Sequence, residues 1–208
     1  MSEAQKKLIT LQRELAQCRA CPKMIGPVVH GPPVMSRIYL LGQAPGPHEG
    51  KIGKPFAWTA GKTLFKWFEE LVGVDEATFR ERIYMSAVAR CFPGKAKGGG
   101  DRKPAPDEIA RCQRFVLREV EILAPRLVIP VGALAISQVL GDFGKLTDVI
   151  GSSRKTRYHG VDVDVIALPH PSGASTWHRV EPGKTLLLKA LGELRSHPEI
   201  RALAKIKT

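Results

Sequence analysis

The chain has 208 residues, of which 43% are hydrophobic, so it is long enough for one sizeable core and short for two. We therefore expect a single domain over residues 1–208, with a basic C-terminal tail from about residue 197. The formal charge of +12 favours a polyanionic partner, because Lys and Arg release the counterions condensed on phosphates. No apolar run is long enough to cross a membrane, and the N-terminus lacks the apolar core of a signal peptide. We expect a cytoplasmic protein without a membrane partner.

Hydrophobic periodicity predicts helices that alternate with strands. The predicted strands cover residues 37–41, 83–89, 126–131 and 163–168. The predicted helices cover residues 4–17, 61–72, 106–123, 132–140 and 184–195. This alternation indicates an α/β fold, in which helices cover both faces of a parallel sheet.

Four cysteines follow the first helix and two later elements: Cys18 and Cys21 in a C-x-x-C pair, then Cys91 and Cys112. Disulfides are rare in the reducing cytoplasm, so this spacing favours a four-thiolate site for an iron–sulfur cluster or for zinc. A thioredoxin-like redox pair fits less well, because the C-x-x-C pair follows a helix rather than opening one. Cys112 can alternatively be a small core residue of its helix. The spacing alone does not choose the metal.

The first and the last predicted strand each run into a short polar loop rich in Pro and Gly. These loops cover residues 42–46 and 169–173. Ligands of open parallel sheets bind outside the carboxyl ends of the strands, so the two loops are expected to meet at one crevice. Gln43 and His170 are therefore candidate partners in one active site.

Two further loops are candidates for contact with nucleic acid. One covers residues 94–103, and its basic side chains are Lys95, Lys97, Arg102 and Lys103. These residues suit phosphate contact, although an ordinary solvated linker has the same composition. The other loop covers residues 173–183 and contains Trp177, His178 and Arg179. A Trp between basic residues can stack on a base or enter a duplex, or it can cover the core, and the sequence leaves both open.

Two segments resemble the end of a phosphate-binding P-loop, at residues 61–63 and 183–185. That motif needs a second glycine five positions before its Gly-Lys pair, where this chain has Phe56 and His178. We therefore expect no nucleotide cofactor.

Taken together and in order, the motifs resemble the iron–sulfur uracil-DNA glycosylases, the fourth and fifth families of that superfamily. The resemblance spans roughly residues 8 to 195, and its motifs are Gly42-Gln-Ala-Pro-Gly46, Gly53-Lys-Pro-Phe56 with Ala60-Gly61, Arg90-Cys91-x-Pro93, Pro104-x-Pro106-x-Glu108 with Cys112, and His170-Pro-Ser172. It implies a three-layer α/β/α sandwich with a central four-stranded parallel sheet. It also implies a 4Fe-4S cluster on Cys18, Cys21, Cys91 and Cys112. The expected protein is a nucleoid-associated monomer whose partner is uracil-containing DNA.

The resemblance also implies roles for individual residues of a monofunctional glycosylase, which extrudes deoxyuridine from the stack and hydrolyses its N-glycosidic bond. His170 would donate a hydrogen bond to the uracil O2 as negative charge grows there. Phe56 would stack on the flipped base. The remaining implied substrate-binding residues are Gly42, Gln43, Ala44 and Ser172.

The chain departs from the fourth family at two positions. Gln43 replaces a Glu of the first motif, which leaves Glu49 as the candidate for positioning water and His48 as the alternative. Ala87 stands where the fourth family has a uracil-reading Asn, and there the chain resembles the fifth family. These changes leave a slow-turnover or non-catalytic binder of uracil or abasic DNA as an alternative. A cytoplasmic zinc enzyme is a further one.

Overall fold

A computed structural model of the protein describes residues 1–173 and 175–204. Its strands are β1 Ile38–Gly42, β2 Tyr84–Ala87, β3 Leu127–Pro130, β4 Ser153–Tyr158 and β5 Val161–Ile166. They form one sheet in the order β2-β1-β3-β5-β4. β1 pairs in parallel with β2 and β3, β3 pairs in parallel with β5, and β4 pairs with β5 in antiparallel orientation. The predicted α/β class is confirmed.

The predicted count of four strands is wrong, because β4 adds a fifth strand at the edge of the sheet. β4 has the sequence Ser-Arg-Lys-Thr-Arg-Tyr, and most of its side chains are exposed. Such a strand lacks the apolar alternation that identifies a half-buried strand in a sequence. Charged side chains are common on edge strands, where they discourage pairing with another chain.

The α-helices are α1 Glu3–Ala16, α2 Pro47–Ile52, α3 Thr59–Trp67, α4 Glu76–Arg82, α5 Pro106–Leu123, α6 Ala133–Leu140, α7 Gly183–Ser196 and α8 Pro198–Ala204. A π-helical turn, Phe68–Val72, continues α3, and short 3₁₀ turns cover Leu146–Asp148 and Trp177–Arg179. None of the described helices is long and apolar enough to cross a membrane.

Three short helices, α2, α4 and α8, lie outside the predicted elements. Helix α8 occupies much of the segment assigned to a basic tail from about residue 197, and its Ile200 is buried in the core. Residues 198–204 of that segment therefore form a helix packed on the core. Residues 205–208, which carry the rest of that prediction, lie outside the described residues.

Two apolar layers flank the sheet, and β1 shows how one strand serves both. Ile38 and Leu40 join a cluster with residues of α3, the π-helical turn and α7. Tyr39 and Leu41 join a second cluster with residues of α1 and α5. Because successive side chains of a strand point to opposite faces, helices lie on both sides of the sheet. This is the expected α/β/α sandwich, and it leaves the carboxyl ends of the parallel strands free for a site.

Candidate active site and cysteine cluster

A cavity of about 540 Å³ opens at the carboxyl ends of the parallel strands. Gly42 ends β1, Ala87 ends β2 and His170 follows β5, and all three line this cavity, which we call the base cavity. The other predicted site residues that line it are Gln43, Ala44, His48, Glu49, Phe56, Lys95, Arg102, Lys103 and Ser172. The structure thus places the two polar loops at one crevice, although more than a hundred residues separate them.

The imidazole of His170 is held in one tautomer. Its Nδ1 accepts a hydrogen bond from the backbone N–H of Ser172 at 3.3 Å. Burial lowers the pKa of His170, and it outweighs the opposing effect of the Asp101 carboxylate. A neutral imidazole that accepts at Nδ1 carries its proton on Nε2. A Cβ at Gly132 would lie 3.1 Å from Cδ2 of His170, so this glycine leaves room for the ring.

Phe56 lines the same cavity in a constrained conformation. Its φ is +51°, and its ring packs so close to Gly42 that a Cβ there would lie 3.0 Å from the ring edge. Arg80 of α4 donates hydrogen bonds to the carbonyls of Pro55 at 3.0 Å and Phe56 at 3.1 Å. These contacts hold an aromatic face at the end of β1. Sequence reasoning missed Arg80, because a charged residue of a short amphipathic helix carries no sign of this partner.

Gly61 fixes the position of Phe56, and its replacement by alanine is expected to be costly. A Cβ at Gly61 would lie 1.8 Å from the Phe56 carbonyl oxygen, so the backbone must move. We expect Gly61→Ala to destabilise the fold by about 3 kcal/mol or more and to displace the aromatic ring. Thermal unfolding measures the loss. Gly192→Ala is the control, because that helical position has open space around it and should gain stability; equal melting temperatures for the two variants would contradict this account.

Two carboxylates meet beside Gly46 at the start of α2. Glu49 is buried, and its Oε2 accepts a hydrogen bond from the Gly46 N–H at 3.1 Å. Asp101 also lines the cavity, and its carboxylate pairs with Lys95 at 2.7 Å. A Cβ at Gly46 would lie 2.9 Å from Glu49 Oε2 and 3.3 Å from Asp101 Oδ2, so this glycine admits both groups. Asp101 was not singled out from the sequence, because it stands in a loop dominated by basic residues.

His48 is oriented by a tryptophan at the rim of the base cavity. The rings of His48 and Trp58 stack with centroids 4.1 Å apart and planes 17° apart. Both residues line the cavity. His48 therefore lines the same cavity as the two carboxylates, with its ring held against an aromatic neighbour.

The loop over residues 94–103 contributes basic residues to the cavity, but they are not equally available. Arg102 makes two hydrogen bonds to Glu108 of α5, at 2.6 and 2.7 Å, which fix the loop to the start of that helix. Glu108 also accepts from the Ala105 N–H at 2.8 Å and so caps α5. Lys97 is exposed outside the cavity, whereas Lys103 is exposed at its edge.

Trp177 and His178 lie away from the base cavity. Trp177 packs against the main core. Gly183 lies so close to it that a Cβ at Gly183 would be 2.0 Å from the Trp177 carbonyl oxygen. His178 is buried, with its ring in edge contact with Trp67 at 5.1 Å. The packing of Trp177 matches the core-covering alternative for this loop, and of the three residues singled out there Arg179 is the exposed one.

The four cysteines border a second cavity of about 330 Å³. Cys18 and Cys21 follow α1, Cys91 lies in the loop after β2, and Cys112 lies on α5. Within the part of the chain that the structure describes, no group of three or more His, Cys, Asp or Glu side chains is arranged to hold a metal ion. The four thiols nevertheless surround one space, and four thiolates are the donor set of iron–sulfur and structural zinc sites.

Backbone hydrogen bonds hold the cysteine segments together. Ile25 and Phe92 exchange hydrogen bonds at 2.8 and 3.0 Å, which joins the segment after α1 to the loop that carries Cys91. Burial and the neighbouring thiols raise the pKa of Cys91 to about 11. Burial also raises the pKa of Cys112, against the opposing effect of the Arg90 guanidinium. Thiols in this setting resist ionisation unless a positive group joins them.

Arg90 lines both cavities and is itself fully buried. Its Nη2 donates to Glu119 at 2.5 Å, and its Nε donates to the Ala87 carbonyl at 3.0 Å. Tyr39 and Tyr84 donate to the same carboxylate at 2.7 and 2.8 Å. Burial alone would lower the pKa of Arg90, but the Glu119 carboxylate raises it, so the guanidinium stays charged. Arg90 Nη1 has no hydrogen-bond partner among the described residues.

Comparisons with known proteins show the family of the chain. The model of the uracil DNA glycosylase superfamily matches residues 28–195. A type-4 uracil-DNA glycosylase of Archaeoglobus fulgidus is 26% identical over 196 residues, 91% of this chain and 94% of that protein. A type-4 enzyme of Sulfurisphaera tokodaii is 28% identical over 143 residues, which cover 67% of this chain but only 61% of that protein. A type-5 uracil-DNA glycosylase of Pyrobaculum aerophilum is 24% identical over 191 residues, 78% of this chain and 82% of that protein. The resemblance is confirmed: the chain belongs to the uracil-DNA glycosylase superfamily.

Proposed function

We propose that the protein is a monofunctional DNA-repair glycosylase that releases uracil from DNA and leaves an abasic site. The observation that carries this proposal is that Phe56 and His170 both line one cavity of about 540 Å³. A base must leave the stack before its glycosidic bond can be reached, and such a cavity offers it an aromatic face and a hydrogen-bond donor. The names of the relatives support uracil as the base.

His170 supplies the charge stabilisation in this mechanism. The C1′–N1 bond breaks, and its electron pair leaves on uracil, where negative charge grows on O2. A ring that accepts at Nδ1 presents Nε2–H as its donor, and we assign that N–H to O2. Because the ring starts neutral, it stabilises the anion through a hydrogen bond and does not need to give up a proton.

The buried Glu49 carboxylate completes the hydrolysis. Water bonds to C1′ of the sugar cation, and its proton passes to Glu49, whose other role is to accept from the Gly46 N–H. Asp101 lies beside the same glycine and is the second carboxylate within this part of the cavity. His48 remains the alternative for orienting the water.

One observation favours the alternative of a binder with slow turnover. Ala87 lines the cavity with a methyl group and so offers no side-chain hydrogen bond to a base edge. Loss of a polar reader weakens discrimination between bases. Comparison of oligonucleotides that carry deoxyuridine, thymidine or deoxycytidine tests the proposed specificity. Selective release of uracil supports the proposal, whereas equal release of all three bases, or none, contradicts it.

We further propose that Cys18, Cys21, Cys91 and Cys112 hold a 4Fe-4S cluster, because four thiols border one cavity and the chain resembles the iron–sulfur families. The cluster would act as a structural cross-link. It would tie the segment after α1 to α5 and to the loop that leads to the basic residues of the base cavity. Uracil-containing DNA is the proposed partner, bound by a monomer.

Cys112→Ala is expected to abolish the cluster. The variant should lose visible absorbance and bound iron, and its melting temperature should fall because the cross-link is lost. Iron analysis and thermal unfolding measure both changes. An iron content and colour equal to those of the unchanged protein, or zinc in place of iron in that protein, would contradict the assignment.

A further inference from the structure

Trp58 differs from the other two tryptophans of the chain in its exposure. Its side chain is 43% exposed and lies on the rim of the base cavity. Trp67 and Trp177 instead pack against the main core. Exposure of a large aromatic side chain costs solvation free energy, so an exposed ring beside a binding cavity is a common sign of ligand contact.

The ring of Trp58 is also held in place. His48 stacks on it at a centroid distance of 4.1 Å, and Lys62 Nζ lies 6.0 Å from its centroid. Trp58 precedes the first residue of α3, and its carbonyl accepts from the Lys62 N–H at 3.0 Å. A ring fixed by its neighbours loses little conformational entropy when it binds a partner.

The surroundings of Trp58 fit a nucleic acid strand. Three exposed lysines stand close to Trp58 in the sequence: Lys51 on α2, Lys54 between α2 and α3, and Lys62 on α3, beside the Trp58 ring. Lys103 lies at the edge of the cavity within the basic loop. Aromatic faces stack on bases while basic side chains hold phosphates, which is the pattern of a surface for unpaired nucleotides.

We propose that Trp58, supported by His48, stacks on the nucleotide that flanks the flipped deoxyuridine. This rests on the proposed function, because the flanking nucleotide stays outside the base cavity while the flipped base enters it. Stacking on a base is the role that the sequence suggested for Trp177, and we assign it to Trp58 instead. His48 acts as the support of that ring, so its place in the cavity has a purpose besides the positioning of water.

The test compares affinities for an oligonucleotide that carries one 2′-fluoro-deoxyuridine, which resists cleavage. We expect Trp58→Ala to weaken binding about 5- to 150-fold, which is the fold-change for loss of one base–aromatic stack. Trp58→Phe should retain most of the affinity. The salt dependence of binding should keep its slope in Trp58→Ala, because no phosphate contact is lost. Leu117→Ala, which removes an exposed apolar side chain of α5, is the matched control and should bind normally.

Intrinsic fluorescence gives an independent readout. DNA should quench the tryptophan fluorescence of the unchanged protein and of the Trp177→Phe variant. This quenching should largely disappear in the Trp58→Phe variant. Unaltered affinity in Trp58→Ala, or unaltered quenching in Trp58→Phe, would overturn the proposal. If the unchanged protein neither binds this DNA nor releases uracil, the proposed function itself fails, which distinguishes the two outcomes.

Discussion

Replacement of His170 by alanine is expected to lower the rate of uracil release by about 100- to 1,000-fold, the usual cost of one oxyanion donor. The structure gives the reason: Nδ1 accepts from Ser172, so Nε2–H is the group available to the leaving base. Because burial lowers the pKa of His170, the ring is neutral from pH 7 upwards and the loss should not vary with pH there. Single-turnover rates with protein in excess measure the chemical step.

The affinity of the His170 variant for uracil-containing DNA should stay close to that of the unchanged protein, because the contribution arises as charge develops. His159→Asn is the control, since His159 lies in the turn between β4 and β5 and does not line the base cavity. His170→Ala with an unchanged cleavage rate would refute the assignment. A loss of affinity as large as the loss of rate would show that His170 binds the ground state.

Glu119→Ala is expected to cost about 3 to 5 kcal/mol of folding stability, because it leaves the Arg90 guanidinium buried without its counterion. The same change removes the acceptor of Tyr39 and Tyr84 hydroxyl groups. At about 2 to 4 °C per kcal/mol for a chain of this size, the melting temperature should fall by roughly 6 to 20 °C. Thermal unfolding followed by circular dichroism measures the shift.

The chain offers a matched control one residue away from Glu119. Arg118 pairs with Glu14, and both side chains are close to half exposed. Glu14→Ala also removes the carboxylate of an arginine pair, but in solvent, and should change the melting temperature little. Similar melting temperatures for the two variants would contradict the view that the buried Arg90–Glu119 pair stabilises the fold.

The sequence was sufficient to predict the parallel part of the sheet and the meeting of its two loops, because buried strands are strongly apolar and their carboxyl ends share one edge. Gln43 and His170 are both at the base cavity. The edge strand β4 escaped prediction, since Arg154 and Arg157 interrupt the apolar pattern. Short helices such as α2 escaped because six residues show too little periodicity.

Other parts of the site depend on distant packing and leave no local pattern. Arg80 binds the Phe56 carbonyl across 24 positions, and only the fold brings the two together. The two candidate tryptophans are a similar case. Trp177 has the basic neighbours typical of a nucleic acid contact but packs on the core, whereas Trp58 follows an apolar segment and is exposed at the rim. Burial, not sequence context, distinguishes them.

The measurement that tests the central claim most directly is uracil excision from an end-labelled oligonucleotide with one deoxyuridine, followed by alkaline cleavage. Protein is used once at a tenth of the DNA concentration and once in excess. We expect multiple turnovers at the low concentration, with cleavage at the deoxyuridine only. Binding without cleavage, or one cleavage event per protein molecule, would contradict a turning-over glycosylase and would favour a protein that holds damaged DNA.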